Sequence, residues 1–248
     1  MTGTETIERA IQQDPHRLPE YIDDITRQLA SDDVHDRVDA GRAFRVAAAQ
    51  DAALVEPYHD LVVDLLGDGN GSLQLSGLVA VAELAADSPE RVADEVPRLL
   101  DVVRGTDAPA IEMAAIKALT RIGEWSPPAV EASDPVVADR LRTATTPIRT
   151  AVVSVFVSAV IERPSTFPAT VRATEAALDD DSARVRRYAA SAVSLIAESD
   201  AAAVSSPEAV RTRVAEIEAR VNDGLLQPDQ NLIQALDRLD SVVDADGN

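Results

Sequence analysis

The chain of 248 residues lacks cysteine altogether and is poor in aromatic residues, with three Phe, three Tyr and one Trp. The absence of cysteine excludes disulfide bonds, zinc–thiolate sites and thiol catalysis. Hydrophobic residues nevertheless make up 46% of the sequence, which is enough for a substantial core. That core must be built mainly from alanine, valine and leucine, whose small side chains suit closely packed helices.

Lysine is almost absent as well. All 23 basic residues are arginine except Lys117, and they stand against 43 acidic residues, so the net charge is −20. This bias resembles that of proteins from halophilic archaea, whereas an ordinary acidic protein would keep several lysines. In molar salt the Debye length falls to about 3 Å, which screens the repulsion between carboxylates. We therefore expect a protein that is destabilised at low salt.

The sequence also lacks a long apolar run and a recognisable leader. The most apolar stretch, Ala151 to Ile161, is far shorter than the roughly 20 residues that span a bilayer. The segment from Met1 to Ala10 is polar and acidic, without a basic region followed by an apolar core. These features predict a soluble cytoplasmic protein with no membrane partner.

No catalytic or metal-binding motif stands out. The three histidines do not form His-Glu pairs, and no phosphate loop, dinucleotide fingerprint or nucleophile elbow is present. The run Asp68-Gly69-Asn70-Gly71 is superficially similar to a calcium-binding loop but lacks the later acidic ligands of that motif. We interpret it as a turn between helices. The sequence thus predicts no enzyme activity, no catalytic residues, no metal and no cofactor.

Proline, by contrast, recurs at intervals of 38, 40, 38 and 33 residues. Each proline is followed by an apolar run of helical period, a turn, and a second run rich in alanine. Proline suits the first turn of a helix because its φ is fixed and it has no N–H to satisfy. The spacing predicts an array of helix pairs. The prolines are Pro19, Pro57, Pro97, Pro135 and Pro168.

The second run of each pair carries apolar residues on one helical face, which predicts its core side. The fifth pair has Val185, Ala189, Ala192, Val193 and Ile196 on that face. The fourth pair repeats the spacing with Ile148, Val152, Val155, Phe156 and Ala159.

An apolar residue followed by arginine opens two of these second runs, as Ile148-Arg149 and Val185-Arg186. Together with the alanine-rich continuation, this pattern resembles the HEAT-repeat family and its armadillo-like neighbours over about residues 19–203. Gln74 and Glu112 depart from it. The resemblance implies an all-α fold, a right-handed α-solenoid of about five HEAT-like helix pairs plus a C-terminal helical hairpin. It also implies scaffolding and partner binding.

Four segments are predicted along the chain. Residues 1–18 form an N-terminal cap segment, 19–204 the HEAT-like repeat array, 205–243 a C-terminal helical hairpin cap and 244–248 a flexible tail. The hairpin turns at Asn222-Asp223-Gly224, and its second helix starts at Pro228. We expect this hairpin to shield the open end of the stack; the alternative is a hairpin for dimerisation or docking.

The candidate binding surface is the face of each second helix opposite its core, which lines the concave groove in the HEAT family. This face is poor in acidic residues, and its apolar centre flanked by basic residues would suit an amphipathic or acidic-apolar helix of a partner protein. A small rotation of the helices would instead bury some of these residues in the core. The predicted partner-binding groove consists of Arg42, Arg45, Leu75, Val79, Met113, Lys117, Val157, Ile161 and Arg187.

We therefore expect a non-catalytic adaptor for another protein. One alternative is a small-molecule binder similar to the bilin-lyase or chaperone-like HEAT proteins, which would need a deep closed pocket. Nucleic-acid binding ranks last because a net charge of −20 repels a polyanion. The only dense basic cluster is Arg184, Arg186 and Arg187, in which we expect Arg186 to pair with the turn formed by Asp179 to Asp181 or with a neighbouring unit.

Overall fold

The computed structural model describes residues 6–222 and 229–246, and every regular element within them is helical. The predicted all-α repeat fold is thereby confirmed. The chain divides into two compact units, Met1–Ile122 and Gly123–Asn248. Across the described ranges, none of the helices combines the length and apolar character that crossing a bilayer requires.

Unit 1 consists of a short first helix and three helix pairs, in which we call the first helix of each pair A and the second B. The A helices are α2, α4 and α6, and the B helices are α3, α5 and α7. In chain order the helices are α1 Ile7–Gln13, α2 Leu18–Leu29, α3 Val34–Gln50, α4 His59–Asp64, α5 Gly71–Asp87, α6 Val96–Gly105 and α7 Pro109–Trp125.

Unit 2 contains three further pairs, of which the last is the C-terminal hairpin. The B helix of its first pair is interrupted by a π-helical turn, Val152–Phe156, between two α-helical halves. The helices are α8 Asp134–Thr143, α9 Thr146–Ala151, α10 Val157–Glu162, α11 Pro168–Ala176, α12 Ala183–Ser199, α13 Pro207–Asn222 and α14 Gln230–Asp246.

Four of the five recurring prolines lie in the first turn of an A helix, as predicted. Pro57 differs, because it lies in a 3₁₀ turn, Glu56–Tyr58, directly before α4 begins at His59. The proline still marks the entry to the helix, since its fixed φ fits both kinds of turn.

A second repeat, which the prolines do not reveal, sets the register of the B helices. An extended residue with φ between −138° and −157° follows α1 and every B helix up to α12, and a 3₁₀ turn comes next. Successive extended residues lie 37 or 38 positions apart. Equivalent positions of the B helices can therefore be counted back from them. They are Asp14, Asp51, Ser88, Ser126, Arg163 and Asp200.

The core side of the B helices is largely as predicted. All five predicted residues of α12 are buried, and so are Ile148, Val152, Phe156 and Ala159 in the fourth pair. Val155 was predicted to be core but is partly exposed. It lies in the π-helical turn, whose wider i→i+5 spacing rotates it away from the face that a regular α-helix would present.

The arginine that opens a B helix ties that helix to the end of its A helix. Arg186 Nη1 donates to the carbonyl oxygens of Asp180 (2.6 Å) and Asp181 (3.1 Å), and Arg149 Nη1 donates to that of Ala144 (2.9 Å). Gln74 departs from the family pattern but also links its B helix to the end of the A helix, because its Nε2 donates to the carbonyl oxygen of Leu66 at 2.9 Å. These bonds satisfy carbonyl groups that a helix leaves open at its C-terminal end.

Buried carboxylates link successive A helices in unit 2. Asp134 on α8 accepts from the backbone N–H groups of Ala169 (2.9 Å) and Thr170 (2.7 Å) in the first turn of α11. Glu175 on α11 accepts from the backbone N–H (2.7 Å) and hydroxyl (2.6 Å) of Ser205, just before α13. Two N-terminal N–H groups of α11 are thus satisfied by α8, and the chain just before α13 is held by α11.

The C-terminal hairpin continues the packing of unit 2, since α14 packs against both α12 and α13. Val214 and Ile217 on α13 and Leu232 and Leu239 on α14 are buried. The predicted turn residues Asp223 and Gly224, the predicted helix start at Pro228 and the last two residues of the predicted tail lie outside the described residues.

Candidate partner-binding surface

All nine residues of the predicted groove are at least partly exposed. The helices therefore do not have the alternative orientation in which these residues would be buried in the core. The same helix face also contains core residues, however, because Ala82, Thr120, Thr150 and Ser194 are buried. The exposed part of the face is narrower than the sequence pattern indicates.

In unit 1 the groove residues occupy equivalent positions on successive B helices. Leu75 and Met113 lie 13 residues before the extended residue that ends their helix, and Arg42, Val79 and Lys117 lie 9 residues before it. α3 packs against α5, and α5 and α7 are joined by an ion pair. We call the partly exposed residues Arg42, Arg45, Leu75, Val79, Met113 and Lys117 the unit 1 surface.

Two of its three cations already have carboxylate partners. Lys117 Nζ lies 2.7 Å from Glu83 Oε1 on α5, and Arg42 Nη1 lies 3.8 Å from Glu8 Oε2 on α1. No ion pair joins Arg45 to any part of the chain that the structure describes. The pattern of cations was visible in the sequence, but Glu8 and Glu83 were missed because they lie on neighbouring helices. The surface is therefore apolar and close to neutral rather than strongly basic.

The three groove residues of unit 2 are placed differently. Val157 and Ile161 are partly exposed on α10, and the carbonyl oxygen of Ile161 accepts a hydrogen bond from Ser199 Oγ at 2.7 Å. Arg187 Nε forms an ion pair with Asp229 Oδ2 at 2.8 Å. This arginine is thus held against Asp229, the residue directly before α14.

The basic cluster on α12 is used within unit 2. The expected contact of Arg186 with the turn at residues 179–181 is confirmed, through backbone carbonyl groups rather than carboxylates. Arg184 stacks over the ring of Tyr188, with 5.9 Å between its Cζ and the ring centroid. The cluster does not form a continuous stripe of unpaired cations of the kind that a polyanion needs.

The same turn carries an ion pair that is almost fully buried. Arg149 Nε and Nη2 bind the two carboxylate oxygens of Asp180 at 2.8 and 2.9 Å, and Nη2 also reaches Asp181 Oδ1 at 2.5 Å. Burial alone would raise the pKa of Asp180, but the hydrogen bonds from Arg149 and from the N–H of Ser182 outweigh it and lower that pKa. The same hydrogen bond raises the pKa of Arg149. This pair holds the fifth A–B turn against the start of α9.

Two clefts formed by the described residues were not indicated by the sequence pattern, although the smaller one includes the predicted groove residue Arg187. The larger, of about 550 Å³, lies in unit 1 beside the ends of α4 and α6 and includes Gln74 and Arg98. The smaller, of about 330 Å³, lies in unit 2 between α12 and α13. Both are open to solvent, so neither is the deep closed pocket that the small-molecule alternative would need.

The run Asp68-Gly69-Asn70-Gly71 is a turn, as predicted. Asp68 Oδ1 accepts from the N–H of Asn70 (2.7 Å), and Asn70 Oδ1 accepts from the N–H groups of Ser72 (2.9 Å) and Leu73 (3.3 Å) at the start of α5. Its oxygens therefore cap a helix. Residues 6–222 and 229–246 contain no group of three or more His, Asp or Glu side chains arranged to hold a metal ion.

No protein-family model and no curated protein matches the chain. Among solved structures, an engineered protein superposes with a TM-score of 0.63 at 17% identity, over 89% of this chain and 97% of its own. A second engineered protein gives a TM-score of 0.72 at 17% identity over 96% of this chain, which spans 62% of that protein's length. The MAST/Orbit N-terminal domain gives 0.50 at 15% identity, over 88% of this chain and 96% of its own. These similarities support a HEAT-like helical repeat fold and, at such identities, concern the fold alone.

Proposed function

We propose that the chain is a non-catalytic scaffold or adaptor that binds another protein through the unit 1 surface. The observation that carries this proposal is the set of partly exposed apolar side chains Leu75, Val79 and Met113 on neighbouring B helices. They are flanked by cations in a chain whose net charge is −20. A surface that is apolar and close to neutral, within a strongly acidic chain, is what an amphipathic helix of a partner protein requires.

The charges of the surface indicate the character of that helix. Lys117 and Arg42 are engaged by Glu83 and Glu8, whereas Arg45 is joined by no ion pair within the described chain. One acidic residue of the partner, placed beside its apolar stripe, would pair with Arg45. A strongly acidic partner would instead compete with Glu8 and Glu83 and be repelled by the rest of the protein.

The test compares tagged wild type with Val79→Asp/Met113→Asp in cross-linking and affinity purification from a lysate kept at molar salt. A matched control, Ala53→Asp/Ala176→Asp, adds the same two charges at exposed positions elsewhere. We expect a partner protein that is recovered with wild type and with the control but not with the first variant. Equal recovery with all three proteins would contradict the proposal. Circular dichroism establishes that each variant is folded, and the milder Val79→Thr/Met113→Gln serves if the aspartates unfold the chain.

We also infer that this is a cytoplasmic protein of a halophilic archaeon. The support is compositional, with 43 acidic residues and Lys117 as the single lysine. Carboxylates remain hydrated in molar salt, and their mutual repulsion is screened there. The measurement of thermal stability against salt concentration described in the Discussion tests the adaptation to salt.

A further inference from the structure

The cleft between α12 and α13 in unit 2 has basic and apolar walls, although the chain as a whole is strongly acidic. Three arginines and three apolar residues line it, and no carboxylate of the described residues does. Its volume of about 330 Å³ lies at the lower end of the roughly 300–1,000 Å³ typical of small-ligand sites. The lining residues are Ala183, Arg186, Arg187, Ile217, Arg220 and Val221.

Two of the three arginines are balanced by carboxylates at the edge of the cleft. Arg187 Nε lies 2.8 Å from Asp229 Oδ2, and Arg220 Nη2 lies 3.7 Å from Glu216 Oε2. An arginine has five N–H donors, so these contacts leave donors on both guanidinium groups for a further acceptor.

Arg186 supplies the third cation of the cleft. Its Nη1 donates to the carbonyl oxygens of Asp180 and Asp181, whose two carboxylates share the single cation Arg149. The positive charge of the cleft walls is therefore local and is surrounded by carboxylates. A singly charged anion adds one negative charge to these surroundings, whereas a dianion adds two and is repelled more strongly by an already acidic protein.

We propose that this cleft is an anion site that takes one carboxylate carried by a small apolar group. Arg187 and Arg220 are its charged ligands, because a guanidinium group matches a planar carboxylate with two parallel hydrogen bonds. Ile217 and Val221 form the wall against which the apolar group packs. Two sources share this chemistry, the C-terminus of a peptide that ends in an apolar residue and a free short-chain carboxylic acid. This inference does not rest on the proposed function, since it concerns a different unit.

Isothermal titration calorimetry of the full chain in molar potassium chloride tests the proposal with four probes. They are acetyl-Ala-Ala-Leu with a free C-terminus, the same peptide as its C-terminal amide, butyrate and inorganic phosphate. We expect the free peptide to bind at least about tenfold more tightly than the amide, because charge-assisted hydrogen bonds are lost in the amide. We expect phosphate to bind more weakly than butyrate. Tighter binding of the peptide than of butyrate assigns the carboxylate to a chain terminus, and equal binding assigns it to a free acid.

Variants locate the binding. Arg220→Gln and Arg187→Gln should each weaken binding of the better carboxylate probe by about tenfold or more, and Ala183→Trp should abolish it by filling the cleft. Arg172→Gln is the matched control, since Arg172 is an exposed arginine of α11 outside the cleft. Arg220 is 68% exposed, so its replacement leaves the fold intact, and circular dichroism checks each variant. The proposal is overturned if neither the free peptide nor butyrate binds, if the amide or phosphate binds as tightly as the better carboxylate probe, if Arg172→Gln causes an equal loss, or if Ala183→Trp retains full binding.

Discussion

At the scale of single residues, the arginine that resembles a family signature has a mechanical role. Arg37, Arg149 and Arg186 each open a B helix, and each donates to carbonyl oxygens at the end of the A helix before it. Gln74 shows that the role needs a long donor side chain rather than a positive charge. The family pattern therefore reports the geometry of the A–B turn.

Glycine is required at position 77 because α4 and α5 approach each other closely there. A Cβ atom at this position would lie 2.7 Å from Leu65 Cβ and 2.9 Å from the carbonyl oxygen of Val62. Backbone atoms cannot move aside as a flexible side chain would. We predict that Gly77→Ala destabilises the protein by about 1–3 kcal/mol, although alanine is the better helix former. Chemical denaturation measures the change, and Gly67→Ala, whose Cβ would meet nothing within 4 Å, should be close to neutral.

The buried pair of Arg149 and Asp180 should make stability depend on pH. The pKa of Asp180 is lowered in the folded state from its ordinary value of 3.8. Its contribution is therefore fully present above that ordinary value and is lost as the pH falls through the lower folded-state pKa. We predict that Asp180→Asn is less stable than wild type at pH 7 and that this difference shrinks toward pH 3. Urea titrations at both pH values measure it. A difference that stays constant between the two pH values would contradict the assignment.

At the scale of the elements, the sequence predicted the helices better than their connections. Residues such as Ile148 and Val185 recur with helical period, so burial on one face of the B helix could be recognised from spacing alone. The 3₁₀ turns that follow Asp51 and Ser88 are each only three residues long, which is too short for a periodic apolar pattern within the turn. The contact between Glu83 and Lys117 spans 34 residues of sequence, and such partners become visible only once the helices are placed. The exposed groove residues were therefore predictable, whereas their neutralisation was not.

The carboxylate of Asp134 joins two A helices in unit 2, and its loss should weaken the contact between them. Replacing it with alanine would leave the N–H groups of Ala169 and Thr170 without their acceptors. An unsatisfied buried donor costs about 1–3 kcal/mol. We predict that Asp134→Ala destabilises the protein by at least about 2 kcal/mol. Asp139→Ala on the same helix is the control, because Asp139 is exposed and its partners among the described residues are Arg142 and Thr143. Denaturant midpoints that fall equally in both variants would refute this role.

At the scale of the whole molecule, two opposing effects of charge can be distinguished: attraction within short ion pairs and repulsion among the excess carboxylates. Ion pairs such as Lys117 with Glu83 are short, but 43 acidic residues outnumber 23 basic ones, so many carboxylates face no cation. Their repulsion acts over the Debye length, which is about 10 Å at 0.1 M salt and about 3 Å at 1 M. Raising the salt concentration therefore removes most of the repulsion while the short pairs lose little.

The folded state should consequently gain stability with salt. We predict that the melting temperature rises steadily between 0.1 and 2 M potassium chloride, as followed by circular dichroism at 222 nm. Salt also strengthens the hydrophobic effect in general, so a variant with fewer charges is needed to identify the cause. Replacing four exposed acids by their amides, Asp23→Asn, Glu90→Gln, Asp94→Asn and Asp107→Asn, should raise the melting temperature at 0.1 M and flatten its dependence on salt. If the melting temperatures of the variant and of wild type start from the same value and rise in parallel with salt, repulsion between carboxylates is not the cause of low stability at low salt. The acidic surface then needs another explanation.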